Sequence, residues 1–388
     1  MHLRIVAVIC AVASLLVAAC ASVPHRELSL KPATYAMLPN GHDPLNPGKV
    51  SPLYAAAAPG NTNAIREFER RRGHALNVLS LSGGGQNGAF GAGLLNGWRE
   101  SGRRPVFDIV GGVSTGALMA THALLGTPAD DAQLEEMYTQ ITKKDIYEER
   151  RIYSLATADS LADTEPLARL IAKHITAGTL QRVADAYADN RVIVVGTTNV
   201  DYSQTWIWNM SAIAKDGNLD LYRKVLLASA SFPIVFPPVE IDGHLFIDGA
   251  ARSNIVILGL GGTERPASPL YGAGNLYLIN NGVQLSPPEA LRRALGDVAA
   301  TTVSVMMEQS MLTALTRSYF GARFLGYNFR MVSIPDSVNV GNDPLAFDPK
   351  IMRAAFDAGR ALGKRPDPWM TVPPSVGDIP GWALDQIK

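Results

Sequence analysis

Short apolar runs alternate along this chain with longer stretches in which apolar residues recur every three or four positions. The run Leu76-Asn77-Val78-Leu79-Ser80-Leu81 predicts a strand. After a Gly-rich turn at 83–88, Phe90, Leu94, Leu95 and Trp98 recur at helical spacing. The pattern then repeats, with Val106 to Val110 as a second buried strand, Gly111 to Gly116 as a tight turn and Ala117 to Leu125 as an apolar helix. Further on, Arg191 to Gly196 predicts a strand and Thr205 to Trp208 a weaker one. Leu221 to Ser229 predicts a helix ending near Pro233, and Leu245-Phe246-Ile247 a strand leading into Asp248. A long helical stretch follows from about Pro288 to Phe324, and Asp348-Pro349 supplies the cap and first-turn proline of a last helix toward Gly363. Such alternation predicts an α/β fold: a three-layer α/β/α sandwich around a mostly parallel central sheet.

Both Gly-rich turns open at the C-terminal ends of strands, the edge at which open α/β sheets bind ligands. Residues 75–285 are therefore expected to form the catalytic or binding domain, with 286–388 a mainly helical part packed on it. Residues 20–74 carry scattered Pro, Gly and Asn with no sustained apolar period, which predicts a tether and N-terminal extension. No internal repeat is visible.

The first nineteen residues read as a signal peptide, because Arg4 precedes an apolar run from Ile5 to Ala19 that is too short to span a bilayer comfortably. The run ends in Val17-Ala18-Ala19-Cys20, which resembles a bacterial lipobox and would make Cys20 a lipid attachment site. Cys10 is the only other cysteine, so a mature chain beginning at Cys20 would hold no disulfide and no cysteine metal site. The expected location is the cell envelope, anchored by lipid, and Ala21 after the cysteine resembles the form sorted to the outer membrane. The alternative is an ordinary secretory signal with Cys20 incidental.

Composition narrows the function further. The 35 basic and 35 acidic residues cancel, and no basic block marks a nucleic-acid partner. With 47% hydrophobic residues, most of the chain can build a large core. Near neutrality also leaves little attraction to anionic lipid, so membrane attachment would rest on acyl chains at Cys20.

The candidate chemistry lies in the turns. Gly112-Val113-Ser114-Thr115-Gly116 fits the G-x-S-x-G elbow, in which a strained strand-to-helix turn exposes a nucleophilic serine. Ser82-Gly83-Gly84-Gly85-Gln86-Asn87-Gly88 offers backbone amides that can approach a tetrahedral intermediate, as an oxyanion hole requires. Gly83, Gly85 and Gly88 also fit a dinucleotide fingerprint with Glu100 or Asp108 as the ribose acid, but that reading leaves the second elbow unexplained. For the base, the seven histidines leave His244 as the best candidate of a conventional triad, with an acid upstream such as Asp201. His122 lies inside the helix after the elbow, and His174 in a helical run where a solvated surface role fits better.

Gly83-Gly84-Gly85-x-x-Gly88, then Gly112-x-Ser114-x-Gly116, then Asp248-Gly249-Ala250 resembles the three-part signature of patatin-like phospholipases. Ala228-Ser229-Ala230-Ser231-Phe232-Pro233 and Phe236-Pro237-Pro238 add to the likeness, which covers about residues 75–255. The resemblance implies a Ser114–Asp248 dyad without histidine and an oxyanion hole built from Gly83, Gly84, Gly85 and Gly88. It also implies cleavage of membrane-lipid acyl esters, of the phospholipase A or lysophospholipase type, without metal or cofactor. Many relatives carry a basic residue where this chain has Asn87, which leaves neutral acyl esters and lysophospholipids as candidate substrates. Two other readings stand beside it: an esterase using His244, and a lipoprotein that holds an acyl chain without cleaving it.

Overall fold

The structure is a computed structural model, and it describes residues 26–31, 34–39, 42–46, 49, 51, 64–151, 158–256, 269–283, 290–291 and 293–377. The expected signal peptide and Cys20 lie outside the described residues. Among the described residues no helix is long and apolar enough to cross a membrane.

Among the described residues, nine strands form the main sheet: β1 (Ala36–Met37), β2 (Asn77–Leu81), β3 (Ile109–Val113), β4 (Val192–Asn199), β5 (Gln204–Asn209), β6 (Val239–Ile241), β7 (His244–Asp248), β8 (Asn275–Asn280) and β9 (Asn328–Ser333). Its main path runs β1-β5-β4-β3-β2-β8-β9, with β7 paired to β4 and β6. The five strands from β4 to β9 along this path pair in parallel, and β5 and β7 both run antiparallel to β4. Burial explains the apolar character of β3 and β4, in which every residue is buried.

Helices cover the sheet: α1 (Ala64–Arg72), α2 (Gly88–Glu100), α3 (Thr115–Leu125), α4 (Pro128–Thr139), α5 (Glu165–His174), α6 (Ala177–Ala188), α7 (Leu219–Ser229), α8 (Leu295–Phe324) and α9 (Pro349–Gly363). The central sheet is thus mixed, mostly parallel and flanked by helices, an α/β/α arrangement as the alternation predicts.

The second strand sits further along the chain than its apolar run implies. It spans Ile109–Val113, and Val106 is left exposed. The strand takes in Gly111 and Gly112, which read locally as turn residues. A Cβ on Gly112 would lie 2.4 Å from the Gly116 carbonyl oxygen, so the close return of the chain, and not flexibility, selects glycine there. The C-terminal part is also less purely helical than expected, since β9 extends the parallel sheet beside β8 in full register from Asn275↔Asn328 to Asn280↔Ser333.

Helix α9 lies against α2 with almost no gap. Each helix carries two glycines at the contact. Cβ atoms on Gly93 and Gly97 would lie 1.9 Å from the Phe356 and Arg360 carbonyl oxygens, and those on Gly359 and Gly363 2.0 and 2.3 Å from the Phe90 and Leu94 oxygens. Backbone therefore packs on backbone, which holds α2, and the Gly-rich loop at its N-terminus, against the C-terminal part of the chain.

Candidate active site

Strand β4 brings the two halves of the site together. One of its edges is shared end to end: β3 pairs along it up to Val113↔Gly196, and β7 pairs from the other direction, beginning at Thr197↔Asp248. Ser114 leaves β3 just where Asp248 ends β7. The Ser114 hydroxyl lies close enough to the Asp248 carboxyl to favour its charged form, and both side chains are almost fully buried.

Ser114 adopts φ 54° and ψ −126°, a backbone conformation that costs a residue with a side chain on the order of 1–3 kcal/mol and holds its Oγ out of the strand-to-helix turn. Neighbouring groups hold it there. The Ser114 amide donates to Ser229 Oγ at 2.9 Å, and Ser229 Oγ donates onward to the Gly196 carbonyl at 2.7 Å. Two residues later, the Ser231 carbonyl accepts the Asp248 amide at 2.8 Å. The C-terminal end of α7 and the two residues after it therefore brace nucleophile and acid at once, a role that this sequence suggested only through likeness.

Asp248 accepts the Ala250 amide at 2.8 Å, and that bond and the nearby Ser114 hydroxyl both favour its charged form. Burial nevertheless dominates, and the carboxyl is pushed up from 3.8 to about 7 because the charged form loses its water. A carboxyl with that affinity for protons is half-ionised near neutrality, where a general base works best.

The Gly-rich loop faces the same space. Gly84 at φ 155° and Gly85 at φ 57° hold backbone conformations suited to glycine, and their amides make no hydrogen bond among the described residues. The other two expected members of the oxyanion hole are engaged elsewhere. The Gly83 amide donates to Asn254 Oδ1 at 2.7 Å, and the Gly88 amide to the Gln86 and Gly85 carbonyls at the start of α2. Sequence reasoning did not single out Asn254, and only its contact with Gly83 marks it.

Gly116 is needed for closeness, since a Cβ there would lie 2.3 Å from the Leu81 carbonyl oxygen, and Gly249 has the same need against the Gly196 oxygen at 2.5 Å. Ala250 is buried and uses its amide to hold Asp248.

The histidines lie elsewhere. His244 is four residues before Asp248 on β7, about 13 Å away at the usual rise per strand residue, and its Nε2 meets the Lys31 carbonyl at 3.0 Å. Its ring packs among Tyr202, Trp206 and Phe246. Asp201 pairs instead with Arg26 at 2.9 Å and caps the Leu245 amide. His122 meets Asp130 at 3.2 Å. His174 is buried rather than solvated, which pushes its ring down to about 4. The acids of the dinucleotide reading are also engaged: Asp108 with Arg72 and the Asn77 amide, Glu100 with Arg360 and Lys364.

A cavity of about 690 Å³ opens beside Ser114 and Asp248, within the range that encloses small organic ligands. Leu118, Met137, Ile141, Leu167, Phe236 and Leu315 give it a long apolar wall, and α8 contributes part of that wall. No group of three or more acids, histidines or cysteines suited to a metal ion occurs among the described residues.

Residues 79–260 match the family described as Patatin-like phospholipase. This part, somewhat less than half of the chain, is similar to that family. The patatin-like match begins within β2, includes both turns and ends beyond Asp248, so it contains every residue of the Ser114–Asp248 pairing. Patatin-like domains are lipid acyl hydrolases, a kind of carboxylic ester hydrolase. Among solved structures, the crystal structure of VipD from Legionella pneumophila resembles the chain at 12% identity and a TM-score of 0.38. That likeness covers 74% of this chain and 66% of VipD. The curated proteins yielded no match.

Proposed function

We infer that the protein is a serine acyl hydrolase that cleaves acyl esters of membrane lipids with a Ser114–Asp248 dyad. The observation that carries this reading is the buried juxtaposition of Ser114 and Asp248 beside two glycine amides without partners among the described residues and an apolar cavity. Asp248 takes the hydroxyl proton as Ser114 Oγ attacks the acyl carbonyl. The oxyanion that forms accepts hydrogen bonds from the Gly84 and Gly85 amides. As the intermediate collapses, the protonated Asp248 returns the proton to the departing alkoxide, which leaves an acyl ester on Ser114. A water molecule then gives its proton to Asp248, attacks that ester, and restores the serine with release of the fatty acid. The apolar wall holds the acyl chain throughout. Attachment through Cys20 would keep this cavity near its substrates.

The test is fatty-acid release from a phospholipid and from a short-chain ester, with Ser114→Ala and Asp248→Asn measured alongside. Both variants are expected to lose at least about a hundredfold in rate, the usual scale for a nucleophile or a general base. Undiminished turnover in Ser114→Ala would overturn the mechanism.

A further inference from the structure

The cavity around Ser114 is one-sided in charge. Among the described residues that line it there is no lysine, arginine or histidine. Its charged groups besides Asp248 are Glu308 and Asp336, both acids, and Asp336 is exposed to solvent. The polar part of the lining is instead rich in carboxamides, with Asn87, Asn254, Asn280, Asn281, Asn339 and Asn342 all facing the space.

Three of these make bonds within the protein, although Asn281 Oδ1 is buried without a partner. Asn280 Nδ2 donates to Ser333 Oγ, Asn281 Nδ2 donates to the Ser82 carbonyl, and Asn339 Oδ1 accepts the Gly341 amide. The other three keep capacity in reserve. Asn87 Oδ1 is buried without a partner, an arrangement that is costly unless a ligand supplies a donor. Asn254, held through its Oδ1 by the Gly83 amide, makes no hydrogen bond through Nδ2 among the described residues. The Asn342 side chain makes none either, and it is exposed.

Carboxamides both donate and accept, as hydroxyl groups do, so this set complements a hydroxyl-bearing alcohol. A phosphate placed there would meet the exposed Asp336 carboxylate and a row of amides, with no lysine, arginine or histidine among the described lining residues, and an anion moved out of water without a partner is disfavoured. We propose that the alcohol half of the substrate is an uncharged polyol, and that esters carrying a phosphate are rejected by a lining whose described residues hold no cation. This deepens the hydrolase reading and rests on it.

The experiment uses the full chain in micelles of a non-ionic detergent. It compares kcat/KM for a monoacylglycerol with that for the lysophosphatidic acid of the same acyl chain, while a fluorophosphonate probe reports whether Ser114 is reactive. The glycerol ester is expected to be favoured by about tenfold or more, the scale of one unscreened charge near a protein surface. Asp336→Lys, at an exposed position that folding tolerates, and Asn87→Lys, inside the loop, are each expected to narrow that ratio several-fold. Equal or faster cleavage of the phosphate ester by probe-labelled wild type overturns the polyol assignment and leaves the hydrolase standing. An unchanged ratio in both lysine variants overturns it too, as does a labelled enzyme that cleaves neither ester. Absence of both labelling and release overturns the hydrolase reading and the assignment together.

Discussion

At Asp248, burial and hydrogen bonding act in opposite directions, and burial wins. With the carboxyl pushed up to about 7, kcat/KM is expected to rise with pH along an acid limb centred near 7. That limb is checked with an uncharged ester between pH 5 and 9. The same residue affects stability in a defined direction. The folded state holds the proton more tightly than the unfolded chain does, so its contribution is fully present below about pH 4 and is lost as pH rises through about 7. At about 1.4 kcal/mol per pH unit, the loss amounts to at most about 4 kcal/mol. Asp248→Asn removes this slope, and its stability advantage over wild type in urea is expected to grow between pH 4 and 7. Asp130, held well below the usual range by His122, Arg182 and Thr127 against the cost of its burial, acts only at more acidic pH and with the opposite sign. Ser229 offers a second check. Ser229→Ala strands the Ser114 amide and the Gly196 carbonyl in the interior, for a cost of roughly 1–3 kcal/mol, and slows fluorophosphonate labelling as the elbow loosens. Labelling as fast as wild type would show that the elbow keeps its shape without the serine.

Between elements, the contact of α2 with α9 sets the position of the Gly-rich loop. A Cβ at Gly359 would lie 2.0 Å from the Phe90 carbonyl oxygen, a backbone atom that cannot turn aside. Gly359→Ala is therefore expected to push the helices apart and cost about 1–3 kcal/mol, with slower turnover, because α2 carries the loop at its N-terminus. Asp357→Ala, on the exposed side of α9, should stay within about 0.5 kcal/mol in the same urea titration. Similar stabilities for the two variants would mean that the helices adjust without strain.

Over the whole molecule, the family-matched segment leaves part of the central sheet and its helical cover outside it. Residues 79–260 lack β8, β9, α8 and α9, which complete the sheet beyond β2, build part of the cavity wall and cover α2. A fragment ending at residue 285 keeps β8 but still loses the glycine face of α9 and the edge strand β9. It is expected to lack a cooperative unfolding transition and near-ultraviolet dichroism, whereas the full chain shows both. A cooperative fragment would mean that the C-terminal part is an addition to a self-sufficient core.

Much of this architecture follows from the sequence alone. The buried strands at 77–81 and 192–199 are too apolar for solvent, the helix from Gly88 shows its face in Phe90, Leu94 and Trp98, and Asp348-Pro349 starts α9 as its local chemistry dictates. The G-x-S-x-G turn is likewise local, since its glycines and its strained serine lie within one short segment. Other features depend on partners far away in the chain. The range of β3 shifts onto Gly111 and Gly112 because β2 and β4 pair with them on either side, β9 is a strand because β8 is there to pair with it, and Gly83 turns its amide to Asn254 rather than to a ligand. The pairing of Ser114 with Asp248 is of this kind too: it requires β3 and β7 to meet on one edge of β4, and no local spacing encodes that meeting. Local patterns of polarity and turn chemistry determine which elements form. Which amides stay free, which acid loses its water and which groups face one cavity are properties of the packed interior, decided only when distant segments exclude solvent together.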